Sequence, residues 1–253
     1  MCIRDSVRDE TLLDHAHFVR HMAPDSWFGD GGSGTRRNYS ILFDTKNHSP
    51  RYVAFPMYPG VIGSAKRTNQ WDYDPELSTT VQPQLYKSYL GHWSRGHMLA
   101  SSSRTASRRL NATTFYFTNM IPQNQDQNGG QWQQLENKER AWAQQVSKYD
   151  TLYVVCGPVY SKEPLQMTKD RAGKRIPVPD ATYKVFLRQE KSTGNWHSIG
   201  FIMPNRSLSG TKYDAYAVPV SEVEHQTGLQ FFTHLPKDKA VSIKSQNDPS
   251  HWR

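Results

Sequence analysis

The heptapeptide SRGHMLA at positions 94–100 places a histidine two residues after an arginine, with a glycine between them. The ordinary pKa of an imidazole is near 6.5, so His97 could serve as a general base at neutral pH. A single histidine is more often a structural residue than a catalytic one. Whether His97 is catalytic therefore depends on which other functional groups the fold places near it.

A second set of polar side chains lies on a predicted helix over residues 130–148, GQWQQLENKERAWAQQVSK. Trp132, Glu136 and Arg140 follow one another at intervals of four residues and so share one helix face. Asn128 comes eight residues before Glu136 and can line the same side if the helix begins near it. The face would present an amide oxygen, a carboxylate and a guanidinium together.

These groups suit the hydrolysis of a phosphodiester. That reaction needs a neutral base to deprotonate water, a hard cation to neutralise the phosphate, and arginines to hold it. Magnesium prefers oxygen ligands and keeps several waters, so an amide oxygen and a carboxylate acting through water are sufficient. Taken singly, Glu136 and Arg140 are better explained by a solvated helix ion pair of a few tenths of a kcal/mol, and Asn128 by a helix cap or a turn.

The order of the predicted elements allows these groups to meet. A histidine-bearing turn at 94–100 is followed by a polar loop at 101–111, a strand at 114–118, a polar segment at 119–128 and then the helix. Such a ββα arrangement can set a histidine from the first strand against side chains of the helix.

The rest of the chain predicts an α+β fold, with a mixed or antiparallel β-sheet core flanked by helices. Further short β-type runs bounded by turn residues occur at 39–43, 52–58, 151–155, 183–187 and 198–203. A second helix is predicted over 220–227, ending before Gly228.

Composition separates one predicted domain from its ends. Residues 1–36 include a Gly/Ser-rich stretch and predict an N-terminal appendage with a flexible loop; residues 37–240 predict a single domain, and residues 241–253 a mobile tail.

Two cysteines without metal-type spacing exclude a zinc ribbon. The formal charge of +8 favours polyanions such as nucleic acid as partners. No apolar run is long enough to cross a membrane, and no membrane role is expected.

Two ordered blocks resemble the DNA/RNA non-specific endonucleases, the ββα-metal or His-Me finger nucleases that include sugar-non-specific bacterial nucleases and mitochondrial endonuclease G. The first is the Arg-Gly-His signature at 95–97, and the second is TFYFTNMIPQNQDQNGGQWQQLE at 114–136. The resemblance continues to about residue 236 and implies the ββα-metal active-site motif.

The resemblance implies a role for each matching position. His97 is expected to be the general base that activates water, so activity would rise as the pH passes about 6.5. Asn128 is expected to be the direct protein ligand of Mg²⁺, or of Mn²⁺ or another divalent cation, and Glu136 to hold a metal-bound water. Arg95 and Arg140 are expected to contact the phosphate.

Asn119 matches an asparagine that braces the site in the family. Arg67 is the nearest match to a further phosphate-contacting arginine, and Arg104 is another candidate for that role. The chain departs from the family pattern at Ser94 and Ser103, where relatives usually carry acidic residues. These departures leave an alternative open, a catalytically impaired nucleic-acid-binding protein on the same scaffold.

The expected function is metal-dependent, sequence-non-specific cleavage of DNA and RNA to 5′-phosphate products. The resemblance adds a homodimer and an inhibitor protein as candidate partners, and it favours a secreted or periplasmic location. Residues 1–15 lack the apolar segment of a signal peptide, and MCIRDS resembles translated sequencing-adapter sequence, which leaves the natural start of the protein open.

Overall fold

The computed structural model describes residues 6–7, 15–161 and 166–252. Cys2, most of the segment 1–14 and Arg253 lie outside the described residues. The strands in chain order are β1 (Ser6–Val7), β2 (Ala16–Pro24), β3 (Thr35–Asp44), β4 (Ser49–Met57), β5 (Trp93–His97), β6 (Met120–Asn124), β7 (Leu152–Val159), β8 (Met167–Lys169), β9 (Arg175–Pro177), β10 (Ala181–Gln189), β11 (Trp196–Pro204), β12 (Ala217–Val218) and β13 (Leu229–Gln230). The α-helices are α1 (Arg108–Thr113), α2 (Gln125–Gln127), α3 (Gln133–Ala143), α4 (Val220–Thr227) and α5 (Lys237–Lys244).

A seven-stranded sheet lies at the centre, in the order β12-β11-β10-β7-β4-β3-β2, and every neighbouring pair is antiparallel. Side chains alternate between its two faces, as strand geometry requires. Val155 and Val185 join the core under α4 and α5, together with Phe231. Val154 and Phe186 join the core on the other face, where α3 packs. The predicted α+β class with an antiparallel sheet is confirmed.

The ββα unit lies on that second face. Strands β5 and β6 form their own antiparallel pair, with Gly96 opposite Ile121 and His97 opposite Met120. The chain then passes directly from β6 into α2, a π-helical turn at Asn128–Trp132, and α3. A strand, a second strand and a helix thus meet within one short stretch of sequence.

The second strand of this unit is not the predicted one. Residues 101–113 end in helix α1, whose first turn is capped by Ser107 Oγ accepting from Leu110 N–H, and residues 114–118 lie in turns rather than in a strand. The run is rich in aromatic and β-branched residues, but side-chain hydrogen bonds hold the backbone in turns: Thr114 Oγ1 donates to the Asn111 carbonyl and Asn119 Nδ2 donates to the Thr114 carbonyl.

The predicted long helix is also displaced, because it starts at 125 and ends at 143 rather than running over 130–148. The Asn124 side chain caps it by accepting from the N–H groups of Asp126 and Gln127. Asn128 therefore lies inside the helical segment. Helix α4 has the predicted bounds, and Gly228 ends it in the left-handed conformation, with φ of 70°.

The described residues of both predicted end segments contact the central sheet or the core. Strand β2, within the predicted appendage, pairs with β3 and completes the sheet, and the buried His21 lies 2.9 Å from the Asp74 carboxylate. The predicted mobile tail continues α5 and ends in a 3₁₀ turn whose Trp252 packs against Trp142 and Phe186. In both segments, contacts with residues distant in sequence stabilise regular structure where the polar composition predicts a loop or a tail. Among the described residues, no helix is long and apolar enough to span a membrane.

Candidate active site

An open cleft of about 470 Å³ lies between β5 and the π-helical turn. It brings together five residues that the sequence analysis singled out. These are Arg67, Arg95, His97, Asn128 and Glu136.

His97 is the most buried ionisable group of the cleft, with 9% of its surface exposed. Its ring packs edge-on against Trp71 and Phe115, and its Nε2 has no hydrogen-bond partner among the described residues. Burial, and next the positive charge of Arg67, lower the pKa of His97 to about 3, against a backbone hydrogen bond at Arg95 that raises it. The imidazole is therefore neutral at physiological pH, and its unpaired Nε2 is buried in the wall of the cleft.

Gly96 allows β5 to approach β6 at this point. A Cβ atom on residue 96 would lie 2.1 Å from Gln123 Oε1 and 2.6 Å from Gln123 Cβ, closer than real atoms approach. Gln123 has little room to move because its Nε2 donates to Gln127 Oε1, and the Gln127 Nε2 in turn donates to Thr182 Oγ1. The glycine between the arginine and the histidine is thus required by the strand pairing.

We expect Gly96→Ala to destabilise the protein by about 1–3 kcal/mol, the usual cost of overpacking a core. The check is the denaturation midpoint of the variant against Gly29→Ala, where the nearest atoms to the new Cβ are 3.5 Å away or farther. Equal midpoints for the two variants would contradict this reading of the strand pair.

Asn128 and Glu136 face the cleft from the helical side. The π-helical turn between them contains the non-helical Gly130, with φ of −103° and ψ of −108°, so it offsets Asn128 from the regular helix that carries Glu136. The Asn128 side chain has no hydrogen bond to the described residues. Burial raises the pKa of Glu136 to about 7, against the opposing effect of Lys184.

Arg67 and Arg95 line the same cleft from loops and strand β5. Arg95 stacks on Trp71 at 3.5 Å, and its Nη1 donates to the carbonyls of Leu85 and Tyr86. Arg67 Nη1 donates to Ser101 Oγ at 2.8 Å. Both guanidiniums are held in place and keep N–H groups available for an anion.

Arg140 and Asn119 support the cleft without lining it. Arg140 Nη1 donates to Ser102 Oγ at 2.7 Å, and its charge favours the ionised form of Glu136. Asn119 is fully buried, and its Oδ1 accepts from the Leu99 N–H while its Nδ2 donates to the Leu99 carbonyl. The backbone directly after His97 is fixed in this way.

The predicted phosphate contact of Arg104 is wrong. Its side chain is fully buried outside the cleft, and its guanidinium donates to Asn38 Oδ1 at 2.6 Å and to the carbonyls of Asn38, Pro56 and Ser103. A basic loop in the sequence indicates an exposed cation, but here four backbone and side-chain oxygens replace its hydration.

The two serines at usually acidic positions have separate surroundings. Ser94 Oγ donates to Gln125 Oε1 at the edge of the cleft. Ser103 Oγ donates to Glu139 Oε1 at 2.9 Å, and Glu139 Oε2 lies 2.8 Å from Lys184 Nζ in a fully buried ion pair. A carboxylate thus remains near residue 103, supplied by helix α3. Removing one partner of such a pair typically costs about 3–5 kcal/mol.

The residues fit a hard divalent cation. Within the described residues, no group of three or more His, Cys, Asp or Glu side chains could hold a metal ion. The cleft instead offers the Asn128 amide oxygen and the Glu136 carboxylate. This donor set suits an ion that keeps most of its own water.

Several further residues line the cleft that the sequence motifs do not include, among them Ser101, Gln125 and Gln133. Ser101 begins a turn of three serines shortly after His97, and this run of serines is the sequence feature that could have indicated its place in the cleft. Trp132 shares the predicted stripe but is buried, and its Nε1 donates to the His97 carbonyl at 3.3 Å. Trp132 therefore holds the backbone of His97 and does not line the cleft.

Comparison with known proteins identifies the family of this chain. A family model described as DNA/RNA non-specific endonuclease matches residues 27–238. A nuclease of a Nostoc species is 30% identical over 84% of this chain and 77% of its own length. The mitochondrial nuclease EXOG of Danio rerio is 30% identical over 81% of this chain, which spans 62% of that relative.

A solved structure shares the fold. The crystal structure of an EndoG/EndoGI complex matches with a TM-score of 0.65 at 25% identity, covering 79% of this chain and 85% of that one. The family match covers most of the chain and includes both blocks of the cleft. The chain therefore belongs to the DNA/RNA non-specific endonuclease family.

Proposed function

We propose that the protein is a divalent-metal-dependent endonuclease that hydrolyses DNA and RNA to 5′-phosphate products, with magnesium as the first candidate ion. The observation that carries this proposal is the buried, neutral His97, which lines a cleft together with two arginines and two oxygen donors and whose buried Nε2 has no partner among the described residues. Nucleic acid is the expected partner, and an inhibitor protein is a second candidate, since the matched EndoG structure is a complex with EndoGI.

Different residues of the cleft would accept the proton, bind the phosphate and hold the metal. His97 Nε2 accepts a proton from the attacking water, while the hydrogen bond at Arg95 fixes the ring. Arg95 and Arg67 hold the phosphate oxygens, and Asn128 and Glu136 would hold the metal, Glu136 through water. A bound divalent cation would neutralise charge on the phosphate and the leaving oxygen.

Low sequence specificity follows from the same groups. Arginines and a metal recognise phosphate, which is common to every nucleotide and carries no sequence information. The formal charge of +8 supports salt-sensitive binding to any polynucleotide.

The pH profile should differ from that of an unperturbed histidine. Because the pKa of His97 is lowered to about 3, the base stays neutral down to about pH 4, and kcat at saturating magnesium should show no step near 6.5. The metal must be saturating because protonation of Glu136, whose pKa is raised, would weaken metal binding below pH 7. A kcat that falls tenfold from pH 7 to 5.5 at saturating metal would contradict the buried-base geometry.

A plasmid-nicking assay tests the function itself. The enzyme should degrade plasmid DNA and an RNA transcript with magnesium and neither with EDTA. The impaired binding protein would retard both nucleic acids on a gel and cleave neither. The two outcomes are exclusive, so the assay decides between them.

A further inference from the structure

A basic hairpin lies beside the cleft and has no role in the chemistry proposed above. Strands β8 and β9 are joined by a turn in which Asp170 Oδ1 accepts from the N–H groups of Ala172 and Lys174. Asp170 Oδ2 accepts from the Gln84 N–H, which fastens the turn to the neighbouring loop 84–92. The hairpin is therefore fixed to the body of the protein.

The same loop joins the hairpin to the cleft. Its N-terminal half supplies the carbonyls of Leu85 and Tyr86 that hold Arg95, a residue of the cleft. Its C-terminal half is bound to the hairpin, since the Leu90 N–H donates to the Lys169 carbonyl and Thr168 Oγ1 donates to the Leu90 carbonyl. A surface that starts at the phosphate-binding cleft thus continues onto the hairpin.

Like charges face one another on this hairpin. Lys169 pairs directly with Arg175 across the two strands, and both side chains are exposed. Neither cation forms an ion pair with any described residue, and exposed Lys87 on the adjoining loop also has none. Like charges directly opposite in an antiparallel pair destabilise the sheet. An anionic partner would remove that repulsion.

Exposed apolar side chains accompany these cations. Tyr86 is 50% exposed, Leu90 40% and Met167 38%, which places three of the large exposed apolar residues of the described chain on this one surface. Cations interleaved with aromatic and aliphatic side chains suit a polynucleotide, which offers phosphates and base faces together. An acidic protein would engage the cations but would not require the aromatic ring.

We propose that Lys87, Lys169 and Arg175, together with the exposed ring of Tyr86, form a second nucleic-acid contact that binds the polynucleotide outside the cleft. This inference rests on the proposed function and names its preferred substrate as a polymer long enough to reach from the cleft to the hairpin. The contact raises the affinity for long chains and takes no part in bond cleavage.

The test compares two triple variants with the same change in charge. Lys87→Gln/Lys169→Gln/Arg175→Gln removes the hairpin cations and leaves Arg171, whose Nε donates to the Ser88 carbonyl. Lys191→Gln/Lys237→Gln/Lys239→Gln removes three exposed cations from the turn after β10 and from α5, none of which lines the cleft. For both variants, binding is measured with a labelled duplex of about 30 base pairs, and cleavage is measured with a trinucleotide.

Binding in EDTA reports the contact without cleavage. The hairpin variant should bind the duplex at least about tenfold more weakly than the control variant, and its slope of log K against log salt should fall by up to about 2.7, because each phosphate contact contributes about 0.9. With magnesium, cleavage of the trinucleotide should be the same in both variants, since a trinucleotide fills only the cleft.

Equal duplex binding and equal salt slopes in the two variants would overturn the hairpin contact. Loss of trinucleotide cleavage in the hairpin variant alone would also overturn it, because the cations would then act within the cleft. If the wild type cleaves neither substrate with magnesium, the proposed function fails, and the binding arm in EDTA still decides the hairpin contact.

Discussion

His97→Ala is expected to lower kcat for plasmid cleavage by about 10²- to 10⁴-fold, the usual contribution of a positioned general base. The affinity for nucleic acid in EDTA should not change. The imidazole is buried behind Trp71 and Phe115, so it adds little to the electrostatic attraction of the phosphate. His97→Ala should therefore lose cleavage while it keeps its affinity for nucleic acid.

The matched control is His234→Ala, because His234 is exposed and lies outside the cleft. It should retain wild-type turnover. Single-turnover cleavage with saturating metal and gel retardation in EDTA are the two measurements. Wild-type turnover in His97→Ala would remove the base assignment, and a matched loss of binding would show that the histidine acts by holding the substrate.

Asn128→Ala is expected to raise the magnesium concentration for half-maximal activity by at least about 10- to 100-fold, the loss that removal of an outer-sphere partner already produces at metal sites. In the described residues the amide has no hydrogen bond that its removal would break, so folding should be little affected. The deficit should shrink as the metal concentration rises.

Asn128→Asp and Asn195→Ala complete this experiment. The aspartate keeps an oxygen donor at the same place and should recover part of the metal affinity. Asn195 lies on the exposed turn between β10 and β11, and its removal should leave the magnesium titration as in the wild type. An unchanged titration in Asn128→Ala would show that the ion is held elsewhere.

Much of the site could be predicted because its residues fall in two compact blocks. Arg95 and His97 lie on one strand, and Asn128 and Glu136 lie on one helical segment, so their local order already brings them near each other. The displacement of the second strand from 114–118 to β6 did not disturb this, since β6 still leads directly into the helix.

Arg67 and Arg104 show the limit of that reasoning. Both are arginines in polar, basic stretches, yet Arg67 reaches the cleft through Ser101 and Arg104 enters the core beside Asn38. The Arg67 side chain is exposed and donates to Asn69 and Ser101, whereas Arg104 is fully buried and donates to oxygens of Asn38 and Pro56. Local sequence carries no information about that choice.

Local sequence predicts five of the seven strands of the central sheet, the bounds of α4 and the two sequence blocks that line the cleft, because periodicity, capping residues and turn residues act over a few positions. The tertiary structure alone decided the depressed pKa of His97, the burial of Arg104, the docking of Trp252 and the pairing of Lys169 with Arg175. Desolvation and charge interactions depend on which atoms surround a group in space, and those atoms come from segments far apart in the chain.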